Sequence, residues 1–370
     1  MPNPLVDLQR FGQSVWYDNM RRGLITSGDL QRLIADDGLR GMTSNPAIFE
    51  KAISGSADYA GVLGAHAGGG LSPLEIYERV AVEDIQWAAD LLLPVYQDTQ
   101  GRDGYVSLEV SPHLANDTDG TVEEALRLAA AVARPNLMVK VPGTPAGVPA
   151  VERLIGRGVN VNITLLFALD NYVEVAEAYM AGLEKRVADG GDPASVASVA
   201  SFFISRIDAK IEKEIEARVG AGADAAAFEG LAGKVAIANA KLTYARYKEL
   251  CAGETWQKLA AAGARPQRLL WASTGTKNPD YSDVLYVEEL IGPDTVNTLP
   301  EATFVAFRDH GTPRASLEEG LEEAAATMER LAGAGLSMER VTSELQEEAV
   351  RLFVEPFDQL LAAIEARTTA

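Results

Sequence analysis

TVEEALRLAAAVAR (121–134), LMVKVP (137–142), VNVNIT (159–164) and NYVEVAEAYMAGLEKRV (171–187) are the consecutive pieces from which the fold is read. The outer two carry apolar residues at helical spacing, Leu126, Ala129 and Ala133 in one and Val175, Ala178 and Leu183 in the other. The inner two are short β-rich runs bounded by turn residues, as strands are. Strand alternating with helix implies a parallel sheet, because a parallel neighbour can be reached only through a crossover. Working outward, the same test finds SVWYD (14–18), LRGMTSN (39–45), GYVSLEV (104–110), SVASFF (198–203), RLLWAST (268–274) and TVNTLP (295–300). Eight units on short connections, with no GxGxxG after the first strand, predict an α/β fold of the (β/α)8 TIM-barrel type rather than an open doubly wound sheet. Two stretches break the rhythm. Residues 51–89 hold a glycine loop (Gly68, Gly69, Gly70) and an extra helix from Pro73, and residues 207–257 have room for two or three helices. Together with the helix-forming tail from Ser316, these read as extra helices on the outside of a single decorated barrel domain covering 1–370. Glu318, Glu319, Glu322 and Glu323 in that tail read as a solvated face.

Composition narrows the function. At 47% hydrophobic and 23% charged residues the chain can bury a sizeable core, which excludes disorder and fibrous classes. Its charge of −20, from 33 basic and 53 acidic residues, argues against nucleic acid or anionic membrane partners. The N-terminal MPNPLVDLQRFGQ lacks the apolar core of a signal peptide and no apolar run reaches membrane length, so a cytoplasmic location is expected. Cys251 is the only cysteine, which leaves no disulfide and no CxxC motif. His66, His113 and His310 lie far apart with no pair at helical spacing, so no metal site is expected. A homo-oligomer is compatible with the sequence, although one chain does not locate its interface.

The chemistry is concentrated at strand ends, where barrels of this kind build their sites. In VNVNIT, Val159, Val161 and Ile163 share one face and Asn160, Asn162 and Thr164 the other; buried amides cost free energy unless hydrogen-bonded, so polar residues on an inward parity mark a site. Ser107 and Glu109 repeat the pattern, as do Thr43 and Asn45. Asp18 closes the first strand, and Ser201 and Ser273 stand near the ends of the sixth and seventh. Lys140, between Val139 and Val141, is the most telling residue. Two readings are open: a buried ion pair with Glu109 or Asp18, or an amine whose charged form is disfavoured by burial and which attacks a ketone to form a Schiff base. In the second reading the protonated imine is an electron sink. A carboxylate, Asp18 or Glu109, then removes a hydroxyl proton as the adjacent carbon–carbon bond breaks. Arg206 and Lys277, just beyond strands, could offset the acidic chain by holding a substrate phosphate.

The set GMTSNPAIF, SLEVSP, LMVKVPGTPAG, GVNVNITLLF, SFFISRID and WASTGTKNPDYSD resembles the transaldolases of the pentose phosphate pathway, class I aldolase-type barrels, and within them the longer bacterial subgroup, from about residue 14 to 300. The resemblance implies that Lys140 forms the Schiff base, Asp18 moves the hydroxyl proton, and Glu109 with Thr164 activates a water. It also implies that Asn45, Asn162 and Ser201 bind the dihydroxyacetone hydroxyls, Thr43 shapes the pocket, and Arg206 and Ser273 hold phosphate. The substrates would be sugar phosphates: a dihydroxyacetone unit passes from sedoheptulose 7-phosphate or fructose 6-phosphate to glyceraldehyde 3-phosphate or erythrose 4-phosphate. No cofactor is implied, since the imine does the work of one. The chain departs from many transaldolases in having Gly275 where they carry a second phosphate-binding arginine, and Lys277 is the expected replacement. The related fructose 6-phosphate aldolases carry glutamine and tyrosine where this sequence has Glu109 and Phe203, which favours transfer over release. The rivals are a lyase that frees dihydroxyacetone and a non-catalytic sugar-phosphate binder.

Overall fold

The computed structural model describes residues 3–66 and 69–368; Gly68 of the glycine loop and the side chain of His66 lie outside them. Eight parallel strands close into a barrel in sequence order: β1 (Gln13–Asp18), β2 (Gly41–Thr43), β3 (Tyr105–Glu109), β4 (Leu137–Pro142), β5 (Val161–Leu166), β6 (Ser198–Phe203), β7 (Arg268–Ala272) and β8 (Thr295–Leu299), with β8 pairing back onto β1. The expected barrel is therefore present, with every strand near its predicted place. Residues such as Val139, Val141, Val161 and Ile163 are fully buried, as strands between lumen and helices require.

Two boundaries differ, each for a local reason. β2 stops at Thr43 because Asn45 turns to cap the helix Pro46–Gly55, accepting from the Ile48 amide, and proline suits a first helical turn. β5 starts two residues late because Asn160 is spent below the strand, donating to the Pro135 and Leu137 carbonyls. The 207–257 stretch does form helices, parts of Ser205–Gly220 and all of Val235–Ala252, with Glu254–Ala261 across its end. The helix from Pro73 runs to Asp98 behind a Ser72/Glu75 capping box.

The barrel floor is polar. Arg268 reaches across it to the Ser14 hydroxyl (2.8 Å) and to Asp103 (2.9 Å), all three being buried. Above them the Trp16 indole fills the lumen so tightly against β2 that a Cβ on Gly41 would meet the ring at 2.5 Å. Trp16 and the polar floor thus fill the lumen below the C-terminal ends of the strands.

The tail from Ser316 departs from expectation. Its last helix, Met338–Thr368, is no outer decoration but lies across the barrel mouth. Gln346 donates to the carbonyls of Gly143 (3.0 Å) and Leu165 (3.3 Å) and to Asn171 (3.1 Å), while Arg367 bonds the Ile53 and Ser54 carbonyls. Its buried stripe, Val341, Leu345, Ala349, Phe353, Phe357, Leu360 and Ile364, recurs at helical spacing and faces the barrel. Among the described residues, no helix is long and apolar enough to cross a membrane.

Candidate active site

Strand register assembles the site. Glu109 on β3 stands beside Lys140 on β4, Lys140 beside Asn162 on β5, and Asp18 on β1 beside Thr43 on β2. This register brings Glu109 and Asn162 to either side of Lys140, and Lys140 is also near enough to act on the Asp18 carboxyl. Lys140 and Asp18 face a cavity of about 370 Å3. Ten of the twelve expected residues line it: Asp18, Thr43, Asn45, Lys140, Thr164, Ser201, Phe203, Arg206, Ser273 and Lys277.

The other two stand behind the wall. Glu109 accepts from Lys140 Nζ at 3.2 Å, so the buried ion pair left open by the sequence is present. Asn162 is fully buried, donating to Ser107 Oγ (3.0 Å) and accepting from Ser201 Oγ (2.6 Å). It is not part of the cavity wall, and through its oxygen it orients Ser201, which does face the cavity.

Lys140 Nζ also donates to the Ser44 carbonyl (3.1 Å), and its ammonium lies 5.5 Å from the centre of the Phe353 ring. Burial pushes the Glu109 carboxyl up to about 7, against the opposing pull of Lys140. Its Oε1 and the Thr164 hydroxyl are buried polar atoms with no partner in the described protein. Buried groups of this kind are rarely left unmatched. Burial likewise raises the Asp18 carboxyl above its ordinary value, opposed by Lys140, by the Thr43 hydroxyl (2.7 Å) and by Lys277.

The far wall is cationic. Arg206 opens the helix Ser205–Gly220 and lies over the Phe203 ring at 5.6 Å. Burial pulls its guanidinium below the usual value, with Glu348 of the C-terminal helix acting the other way. Desolvation, and after it Arg206, lowers the Lys277 ammonium, so the two cations repel one another across the space where an anion would fit. Glu212, on the Arg206 helix, accepts from Asn278 and from the Tyr281 hydroxyl and so pins the Lys277 loop beside Arg206. Ser273 adopts a left-handed backbone (φ 56°), a strained state for a non-glycine residue, with its hydroxyl 3.1 Å from that of Ser205. Gly275, at the arginine position of many transaldolases, also lines the cavity.

Sequence reasoning missed Lys51, Thr298, Leu352 and Phe353, all of which line the cavity. Parity within TVNTLP points to Thr295 and Asn297 rather than to Thr298, which shares its face with Val296; the Thr298 hydroxyl meets that of Thr43 at 2.7 Å. Among the described residues no group of three or more His, Cys, Asp or Glu side chains comes together to hold a metal.

Comparison with known proteins agrees with this geometry. The chain is 47% identical to a transaldolase of Trichodesmium erythraeum, over 99% of this chain and 97% of the relative. It is 48% identical to a transaldolase of Thiobacillus denitrificans (97% and 98%) and 45% identical to one of Thermobifida fusca over the whole of both. The family pattern for Transaldolase/Fructose-6-phosphate aldolase matches residues 15–364, so the likeness runs well past residue 300 and takes in most of the helix over the mouth. By this match the chain belongs to the transaldolase/fructose-6-phosphate aldolase family.

Proposed function

We infer that this enzyme is a transaldolase of the pentose phosphate pathway and that Lys140 carries the transferred dihydroxyacetone unit as an imine. The observation that bears most weight is the placement of the Lys140 amine at the base of a cavity, between two carboxyl groups and opposite two cations. A ketose phosphate fits this arrangement with its phosphate toward Arg206, Lys277 and Ser273 and its carbonyl carbon toward Lys140. Paired guanidinium bonds suit the phosphate, and Lys277 adds a point charge.

Lys140 attacks the ketone carbon, and Glu109, through a water shared with Thr164, supplies the proton with which the hydroxyl leaves. Glu109 suits that exchange, since a group near 7 can both give and take a proton at neutral pH. Asp18 then removes the proton of the hydroxyl beyond the bond to be broken. The carbon–carbon bond cleaves, its electrons pass into the iminium, and the aldose phosphate departs. An acceptor aldehyde enters, the enamine carbon attacks its carbonyl carbon, and Asp18 returns the proton to the new alkoxide. Hydrolysis of the imine frees the product. Ser201, held by Asn162, and Asn45 face the dihydroxyacetone hydroxyls, Thr43 keeps Asp18 aimed, and Phe203 backs Arg206.

Borohydride reduction in the presence of fructose 6-phosphate, followed by peptide mass spectrometry, tests this reading. A dihydroxyacetone-sized adduct on Lys140 is expected. A folded protein that binds the sugar phosphate without forming an adduct would overturn it in favour of a binding barrel.

A further inference from the structure

The C-terminal helix contributes a side chain to the reacting centre. Phe353 is buried, forms part of the cavity wall, and presents its ring 5.5 Å from Lys140 Nζ. Its position is well fixed: Gln346 ties the helix to the ends of β4 and β5, and Lys210 pairs with Glu344 (3.1 Å) and Glu348 (3.6 Å), which precede Phe353 on the same helix. The other groups around the lysine nitrogen, Glu109 and the Ser44 carbonyl, are polar. Phe353 is the apolar cover.

We propose that Phe353 sets how the enamine on Lys140 divides between transfer and release, a role that rests on the Schiff-base reading above. After the first aldose departs, two paths compete. In transfer, the enamine carbon forms a bond to an aldehyde carbon and the carbonyl oxygen takes a proton. In release, the same carbon takes a proton from water, the resulting iminium adds a second water, and free dihydroxyacetone leaves as the amine is regenerated. Release therefore needs water at the enamine, and transfer does not. A phenyl ring has no proton to give, and as part of the wall beside Lys140 Nζ it displaces water there while leaving the cavity open to an aldehyde. Its face also attracts the lysine cation and the iminium, which keeps the nitrogen under the ring through the cycle. Phe353 is thus a positioning and shielding residue rather than a proton donor or acceptor.

The test compares dihydroxyacetone freed from fructose 6-phosphate alone with sedoheptulose 7-phosphate formed when erythrose 4-phosphate is added. Phe353→Leu preserves an apolar anchor for the helix but uncovers part of the nitrogen, and Phe353→Ala uncovers more. The release-to-transfer ratio should rise roughly threefold in F353L and about tenfold in F353A, a range typical of one lost shielding contact. A folded F353L whose two rates fall in parallel, with the ratio unchanged, overturns the proposal whatever F353A does. Borohydride trapping on the unmutated enzyme separates the two failures. No Lys140 adduct there refutes the Schiff-base function itself, whereas an adduct with an unchanged ratio in F353L refutes only the role of Phe353.

Discussion

Replacing Lys277 by methionine probes the residue expected to stand in for the arginine that Gly275 replaces. Lys277 lines the cavity wall beside Arg206, on a loop pinned by Asn278 and Tyr281 to Glu212. A charge-assisted hydrogen bond is worth roughly 1.5–3 kcal/mol, which corresponds to about a 10- to 150-fold change in affinity. The lower end applies here, because without a ligand Lys277 and Arg206 repel each other and K277M also removes that repulsion. The expected result is about a tenfold rise in KM for fructose 6-phosphate, with kcat nearly constant because the phosphate is remote from the breaking bond. K277R should restore KM. The sign of the pH effect follows from the depressed Lys277 ammonium: it loses its charge at lower pH than an ordinary lysine, so KM rises on the alkaline side in the unmutated enzyme and stays flat there in K277R. Steady-state kinetics with fructose 6-phosphate and unphosphorylated fructose as donors provide the control. An equal rise in KM for both would show that Lys277 does not contact phosphate and would refute the reasoning.

Glu109→Gln should slow turnover about 100-fold or more and remove the acidic limb of the rate profile, which for a base near 7 falls as pH drops below that value. An intact limb in E109Q would assign it to another group. Asp208 is buried behind the site, accepting from the Ala236 amide (2.8 Å) and the Tyr286 hydroxyl (2.9 Å), and burial pushes it up to about 7. A carboxyl raised on folding binds its proton more tightly in the native state. Stability therefore falls as pH climbs from about 4 to about 7, by up to 1.36 kcal/mol per pH unit. Urea unfolding should show a slope in the unmutated protein that is reduced in D208N by Asp208's share, the rest coming from other raised carboxyls such as Glu109 and Asp18; parallel curves would clear Asp208 of the effect.

The barrel was legible because each strand writes its own pattern locally: an apolar parity, a polar parity and turn residues at both ends. Lys140, Asp18 and Thr164 were legible for the same reason, as polar groups at positions where burial is costly. Asn162 shows the limit of that logic. Parity placed it inward correctly, but whether an inward amide faces substrate or a neighbour depends on Ser107 and Ser201, which come from two other strands. The C-terminal helix shows it more strongly. Its stripe announces that it packs, yet its partner is set by contacts such as Gln346 to Gly143, about 200 residues apart in the chain. Such contacts leave no local mark.

A chain of charge −20 that binds phosphorylated sugars needs its cations gathered, and the cavity gathers them. Lys51, Lys140, Arg206 and Lys277 line it, with Asp18 as the single acidic residue in the wall. At physiological ionic strength exposed charges are screened beyond about 8 Å, so the many surface carboxylates act on solubility more than on a ligand already at the mouth. Inside, water is excluded and screening is weak, and the local excess of positive charge dominates. The same layout divides the work along the cavity. In the proposed reading Arg206 and Lys277, both in the wall, keep their charge because a dianion repays their desolvation. Lys140 is paired instead with Glu109, a carboxyl that burial raises to about 7. On the reading proposed above, one acidic protein thus binds an anion at one end of its cavity and runs amine chemistry at the other.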